Sequence, residues 1–328
     1  MEALVNVLFI GSRKVLHPWY DDFVAAIGGR HHVKLYDPDQ PMHPQFQWAD
    51  VVVEVGGSFG THAMVDAAVE AGVKLWQIMG TGLDHVDVSY FLERGMPLAN
   101  TPGQFSSVAL AEHALFLMLC FAKNFHASQQ SLRARAFYQP INEELEGKTL
   151  GIVGLGASGR ELARRASAMG MRVLAVDIAA IPRQVLDELR VEFFGGPQDL
   201  DRLLVASDYV SLHVPLTSKT RRLIDRRALG LMKPEAVLIN VARGGIVDEA
   251  ALIEALEAGR LRGAGLDAFV EEPLSPTHPF LRLENVVATP HVAGVTTGTS
   301  RRRAAAAAEN VDRVARGLPP LYLVTSAE

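Results

Sequence analysis

The 328-residue sequence has a single cysteine, Cys120. A disulfide within the chain is therefore impossible, and a reducing compartment, the cytoplasm, is the expected location. Basic charge is not in excess either: 32 Lys and Arg stand against 37 Asp and Glu, for a net charge of −5. A nucleic-acid or anionic-membrane partner would favour a clustered positive surplus, so neither is expected. Long apolar runs are missing. The longest, ALFLMLCFA from Ala114 to Ala122, is half a membrane span and follows Glu112 and His113, so it reads as a buried helix. The opening MEALVNVLFIGSRK lacks the basic stretch and cleavage site of a signal peptide and reads as a first strand. No repeat or low-complexity linker breaks the chain, and the longest like-charge block, Arg301 to Arg303, reads as a solvated helix face. Metal-ligand spacings are absent too. The 11 histidines show no H-x-x-x-H or Cys/His pattern, and His31 and His32 point opposite ways on a strand, so no metal is expected.

What the sequence does contain is a soluble, core-forming composition, 48% hydrophobic and 21% charged, over a length that suits two domains. Short apolar runs alternate with helical stretches: VNVLFI, a helix around Trp19 to Ile27, HVKLY, ADVVVEV, a helix over 62–70, KLWQIM, a short helix and PLANT. That alternation predicts a parallel α/β sheet. Residues 103–126 read as one long helical segment, and 137–147 as polar and irregular. A second series then runs through KTLGIVG, MRVLAVD, VEFF, DYVSLHV, AVLINVA, LRGAGLDAF and NVVATPH, enough for a complete doubly wound sheet. The tail 299–316 reads as a helix, and its run Ala304 to Ala308 as helix propensity alone.

The second series opens on GIVGLGASGR, which holds Gly154-x-Gly156-x-x-Gly159. By itself the spacing is weak, because glycine also marks ordinary turns. Here it follows an apolar strand and opens a helix, the setting a dinucleotide turn requires. Gly154 permits the turn, Gly156 lets backbone approach a pyrophosphate, and Gly159 lets helix pack on strand. The free N–H groups at the helix start, around Ala157 and Ser158, favour anionic phosphates. Asp177 ends the next strand about twenty residues on, where a carboxylate binds ribose hydroxyls and repels a 2′-phosphate. Ile178, Ala179 and Ala180 offer no arginine to replace it, so NAD is expected over NADP, with Arg183 the nearest cation.

Ligands of open α/β sheets bind beyond the carboxyl ends of the strands. Those ends carry His213 and Pro215, Arg243, Asp267 and Glu272, and His291. Singly, each has a bland reading as a solvated or turn-forming side chain. Together, Arg, Glu and His suit one reaction. A guanidinium binds the carboxylate of a 2-keto acid and polarises its carbonyl. A histidine, with an ordinary pKa of about 6.5, donates the proton that follows hydride transfer, and a carboxylate orients its ring.

The stretches GTGLDHVDV (80–88), NTPG (100–103), GLGASGRELA (154–163), HVPLTSKT (213–220), LMKPEAVLINVARGGIVDEAAL (231–252), LDAFVEEP (266–273) and TPHVAG (289–294) give the chain a resemblance to the D-isomer-specific 2-hydroxyacid dehydrogenase family over nearly its whole length. The resemblance implies that Arg243 binds substrate, that His291 is the acid/base and that Glu272 is its partner. It implies that Asp267 contacts the nicotinamide carboxamide, with His213, Pro215, Thr220, Val241, Ala242, His291 and Gly294 lining the cofactor cleft. The fold it implies is α/β with two doubly wound parallel-sheet domains. A flavodoxin-like substrate domain (1–101 and 297–328) would receive an inserted Rossmann NAD-binding domain (102–296). The family is typically homodimeric, with 103–147 as the contact arm, and domain closure excludes water.

Some positions depart from the commoner family pattern. Ala157 and Ser158 replace a basic and an aliphatic residue, Glu235 stands where glycine is usual, and SVALAEH (107–113) is one residue longer. In the loop VEVGGSFG (53–60), Gly56 and Gly57 would bind a substrate carboxylate through backbone N–H groups, with Met79 as an apolar wall. Phosphoglycerate-specific relatives place an arginine at the position of Val55, which disfavours 3-phosphoglycerate here. The expected substrate is a small uncharged 2-keto acid such as glyoxylate or hydroxypyruvate. The alternatives are D-3-phosphoglycerate dehydrogenase, and an NAD-sensing corepressor-like binding protein on the same fold. Formate dehydrogenases pair histidine with glutamine, which Glu272 argues against.

Overall fold

A computed structural model describes residues 3–11, 16–56 and 60–326. The chain divides into two compact units, Met1–Phe105 with Thr296–Glu328, and Ser106–Val295.

The first unit contains β1 (Asn6–Ile10), β2 (His32–Leu35), β3 (Val51–Glu54), β4 (Leu75–Ile78) and β5 (Leu98–Ala99). They pair in parallel in the order β2-β1-β3-β4-β5, the flavodoxin-like order. Side chains alternate between the faces, so a strand covered on both sides reads as an unbroken apolar run. Val7 and Phe9 of β1 join Val51 and Val53 of β3 in one core, while Leu8 and Ile10 join Val52 in the other. The helices Trp19–Ile27 and Thr297–Ala315 cover the first face. The alanine run does more there than favour a helix. Ala304, Ala307 and Ala308 are buried at i, i+3 and i+4, in line with Val311, and their small side chains let the helix lie close to its neighbours. Asn310, also buried, donates to Gln77 Oε1 of β4 at 2.6 Å and accepts from the Leu321 N–H at 2.7 Å. This buried amide pair ties the C-terminal segment to the sheet.

The second unit contains β6 (Thr149–Val153), β7 (Arg172–Val176), β8 (Val191–Gly195), β9 (Tyr209–Leu212), β10 (Val237–Asn240), β11 (Gly263–Leu266) and β12 (Val286–Ala288). All pair in parallel, in the order β12-β11-β10-β9-β6-β7-β8. The chain winds one way from β6 to β8 and the other from β9 to β12, which puts the reversal between β6 and β9. Helices Ser107–Ala122 and Ala157–Ala168 bury Leu117, Met118, Leu162 and Ala163 against Leu150, Ile152 and Ile239. Leu203, Leu204, Leu229 and Leu252 cover the opposite face.

The helical segment expected over 103–126 is interrupted. Asn124 adopts φ +43°, ending one helix at Ala122 before another begins at Phe125. Asparagine tolerates this left-handed conformation, and its side chain repays it by donating to the Ile141 carbonyl at 2.9 Å. Among the described residues, no single helix is long and apolar enough to cross a membrane.

Candidate active site

The register of the second sheet aligns the strand ends. Val176, Val153, Leu212, Asn240, Leu266 and Ala288 form one row of paired residues across β7, β6, β9, β10, β11 and β12. The residues just beyond that row are Asp177, Gly154, His213, Arg243, Asp267 and His291. Asp177 and Asp267 stand four strand spacings apart, roughly 19 Å.

At the glycine turn each glycine has its own constraint. Gly154 has φ +96°, and a Cβ there would meet the His213 backbone at 2.8 Å. A Cβ on Gly159 would lie 2.1 Å from the Gly154 carbonyl oxygen, so the helix can approach the strand only without one. Around Gly156 nothing lies within 4 Å, and the helix Ala157–Ala168 that it precedes has no side-chain cap. Its first N–H groups are thus presented beside an open, exposed backbone, a combination that fits a pyrophosphate. Asp177 accepts from the Leu155 N–H at 2.6 Å and the Ala179 N–H at 2.8 Å, so its carboxylate fixes the turn as well as facing it.

His213 is held from both sides, with Nε2 2.9 Å from Ser211 Oγ and Nδ1 3.0 Å from Ser158 Oγ. Burial pushes its imidazole down to about 4, so it stays neutral at physiological pH. Ser158, one of the departures from the family pattern, therefore links the start of the helix to the end of β9.

Arg243 follows β10 on a short loop that Asn240 shapes. The buried Asn240 side chain donates to the Arg243 carbonyl at 2.9 Å and accepts from the Ala242 N–H at 3.1 Å. Next in sequence, Gly244 is obligatory, since a Cβ would come within 2.0 Å of the Phe269 backbone. Arg243 Nη1 donates to the Ala242 carbonyl at 2.9 Å, which fixes the direction of the guanidinium.

Glu272 Oε1 accepts from the Phe269 N–H at 2.9 Å, and Oε2 lies 2.7 Å from His291 Nδ1. Partial burial works to raise the Glu272 carboxyl. The His291 hydrogen bond, the Phe269 N–H and the charges of His291 and Arg243 outweigh it and hold the group below the usual carboxylate range. The two side chains remain 36% and 44% exposed, open to a ligand from solvent. His291 has φ +54°, sparsely populated for a residue with a side chain, and such outliers cluster at functional sites.

Asp267 is only 1% exposed, and its hydrogen bonds serve the loop that carries His291. Oδ1 accepts from Thr289 Oγ1 at 2.6 Å and the Val292 N–H at 2.9 Å, and Oδ2 from the Ala293 N–H at 2.8 Å. Thr289 Oγ1 in turn lies 2.9 Å from Nε2 of His113, on the helix Ser107–Ala122. Burial lowers the His113 pKa against the opposing pull of Asp267.

One sequence expectation needs correction. Met79 is 1% exposed and packs with Leu75, Phe9 and Trp19 in the core of the first unit, so its side chain is no substrate wall. The Val241 side chain is buried with Val237 and Ile239. Thr220 donates to the Pro215 carbonyl at 2.6 Å and accepts from the Thr217 N–H at 2.8 Å, shaping the loop after β9. Period-two alternation along β4 places Met79 on the same face as Leu75. Gly294 and Ala242 keep partial exposure, Gly56 has φ +83°, and Gly57 lies outside the described residues. Val55 is buried beside Met79 and supplies no cation. Asn240, Thr289 and His113 were missed.

Seven parallel strands reversing at a glycine turn, with an acid, a guanidinium and an imidazole along the same edge, define a doubly wound α/β domain of the dinucleotide-binding class. The family model described as D-isomer specific 2-hydroxyacid dehydrogenase, NAD binding domain, matches residues 115–293. The chain is 38% identical over 273 residues to D-3-phosphoglycerate dehydrogenase of Methanocaldococcus jannaschii, covering 82% of this chain and 50% of that protein. It is 42% identical over 243 residues to hydroxypyruvate reductase of Thermotoga maritima, covering 72% of this chain and 76% of that one. The structure of D-lactate dehydrogenase from Aquifex aeolicus, complexed with NAD and lactic acid, superposes with a TM-score of 0.79 at 27% identity, covering 95% of this chain and 96% of that one. The chain belongs to the D-isomer specific 2-hydroxyacid dehydrogenase family. It spans about half the length of the phosphoglycerate dehydrogenases it matches.

Proposed function

We propose that this protein is an NAD-dependent 2-keto acid reductase, or 2-hydroxyacid dehydrogenase in the reverse direction, acting on a small uncharged substrate. The observation that carries the reading is the Glu272–His291 pair at 2.7 Å on the same sheet edge as Arg243. The open backbone at Gly156, the uncapped helix start and the Asp177 carboxylate are the groups that would hold NAD. When bound, the cofactor supplies or removes a hydride at the substrate carbon.

The chain's own residues handle the rest. Arg243 presents paired N–H donors to the substrate carboxylate and the adjacent carbonyl oxygen, drawing electron density toward that oxygen. A carboxylate can only accept, so the proton between His291 and Glu272 sits on Nδ1. His291 Nε2 then passes a proton to the oxygen as negative charge develops there, while Glu272 accepts from Nδ1–H and orients the ring. Asp267 holds the loop on which this occurs.

The uncharged Val55 and the names of relatives such as glyoxylate reductase of Korarchaeum cryptofilum, 40% identical, support a small substrate without a phosphate. NADH oxidation measured with glyoxylate, hydroxypyruvate, pyruvate and phosphohydroxypyruvate tests the reading. Highest kcat/KM on the phosphorylated acid would make the chain a phosphoglycerate dehydrogenase. Tight NAD binding without turnover on any acid would make it a binding protein.

A homodimer through 103–147 belongs to the same proposal. Phe125, Leu132, Phe137, Tyr138 and Ile141 of this segment are exposed, an apolar arm that a second copy would cover. Cytoplasmic location is proposed from the single cysteine.

A further inference from the structure

His291 is fixed in two independent ways. Glu272 holds its ring, while its backbone, at φ +54°, is bracketed by Thr289 on one side and by Val292 and Ala293 on the other. Both brackets converge on Asp267. The N–H groups of Val292 and Ala293 can only donate, so both Asp267 oxygens act as acceptors. Thr289 has a single hydroxyl proton, and the 2.6 Å contact with Asp267 Oδ1 takes it. The next contact, 2.9 Å from Thr289 Oγ1 to His113 Nε2, must then be donated by His113. Direction is thereby settled along the whole chain: His113 Nε2–H to Thr289, Thr289 O–H to Asp267, and Asp267 accepting the amides that follow His291.

We propose that His113 is a positioning residue for His291, acting through Thr289 and Asp267 from the neighbouring helix; the proposal rests on the reading of His291 as the acid/base. His113 touches no reacting atom. Its imidazole is 15% exposed, and Asp267 is 1% exposed, so the relay is shielded from water that would otherwise replace it. Burial lowers the His113 pKa, in keeping with a neutral ring, and the donation to Thr289 puts its one proton on Nε2.

The test compares the full-length protein with His113→Leu, His113→Gln and Thr289→Val. Glutamine retains an N–H donor near the place of Nε2, whereas leucine and valine break the relay. The expected result for His113→Leu and Thr289→Val is a kcat on the best 2-keto acid lower by ~10- to 100-fold. The Kd for NADH should stay within about twofold, and His113→Gln should recover most of the rate. Combining His113→Leu with Thr289→Val should cost no more than the worse single change, because both remove the same relay. Hydrogen exchange at Val292 and Ala293, read without substrate, should quicken ~10-fold in the leucine variant and return toward wild type in the glutamine one.

Unchanged exchange at those two amides would overturn the proposal, whatever the kinetics. Faster exchange with unchanged kcat would also overturn it, since the loop would then move without consequence for His291. If the wild type turns over no 2-keto acid, the functional reading fails, and the exchange comparison alone decides whether His113 holds the loop.

Discussion

His291 Nδ1 lies 2.7 Å from Glu272 Oε2, and the same carboxylate reaches back to the Phe269 N–H with its other oxygen. The acid therefore cannot turn away from the imidazole without giving up a backbone hydrogen bond. Replacing Glu272 by glutamine keeps the shape and removes the carboxylate that accepts from His291 Nδ1–H. Turnover of a 2-keto acid should fall ~100-fold or more in Glu272→Gln, and by ~10²- to 10⁴-fold in His291→Ala. Isothermal titration should find NADH affinity nearly unchanged in both. Loss of NADH binding would mean that the pair serves the cofactor rather than proton transfer.

His213 makes stability depend on pH in a defined window. Its folded pKa is about 4, below the ordinary histidine value. The unfolded chain therefore binds the proton first as pH falls through ~6.5. Its contribution to stability is complete above that pH and declines toward pH 4. Between pH 6.5 and 5, above the carboxylate range, the wild-type melting temperature should fall more steeply than that of His213→Gln. His113, also lowered, adds to the slope in both proteins. Identical slopes would show that His213 is not kept neutral by burial.

Much of this was legible because parallel strands covered on both faces are continuous apolar runs, and because polar residues that end such runs share one rim. The placement of the glycine turn, Asp177, Arg243, Glu272 and His291 along one rim is legible in that way. What stayed hidden depends on long-range partners. His113 sits beside an apolar helical run, and Thr289, the residue it bonds, is 176 positions away. The helix break at Asn124 is held by the Ile141 carbonyl, 17 residues on. The Asn240 clamp is local, yet the residue also reads as the last position of a strand. Met79 differs for another reason: it continues the buried face of its strand, as two-residue alternation from Leu75 indicates.

The glycine turn offers a contrast between two substitutions of the same kind. A Cβ at Gly156 meets nothing within 4 Å, and its φ of −74° suits any residue. Gly156→Ala should fold with an unchanged melting temperature and lose NADH affinity, because the methyl group occupies the surface that phosphate would approach. Gly159→Ala drives the methyl into the Gly154 carbonyl and should cost ~3 kcal/mol or more in a urea titration. Undiminished NADH affinity in Gly156→Ala would place the cofactor elsewhere.

Asn310 tests the attachment of the C-terminal segment to the first sheet. Truncation to alanine leaves Gln77 Oε1 and the Leu321 N–H without the partner that each now has. Of the two, the Gln77 acceptor is buried, and a buried group left unpaired costs ~1–3 kcal/mol. Urea unfolding of Asn310→Ala should show a loss of that order. Amides around Leu321 should also exchange faster while those of the second unit do not. A variant as stable as wild type would mean that water replaces both hydrogen bonds.

The exposed arm makes the oligomeric state a sharp question. Phe137, Tyr138 and Ile141 are 70%, 103% and 91% exposed, an arrangement that leaves three large side chains in water unless another surface covers them. Sedimentation of the wild type should give a dimer. The combined change Phe137→Ser and Ile141→Ser should weaken association by at least ~10-fold, equivalent to ~1.4 kcal/mol. NADH affinity should survive, because the glycine turn and Asp177 lie on other segments. A wild-type protein that sediments as a monomer would remove the homodimer from the proposal, as would a variant that associates as tightly as its parent.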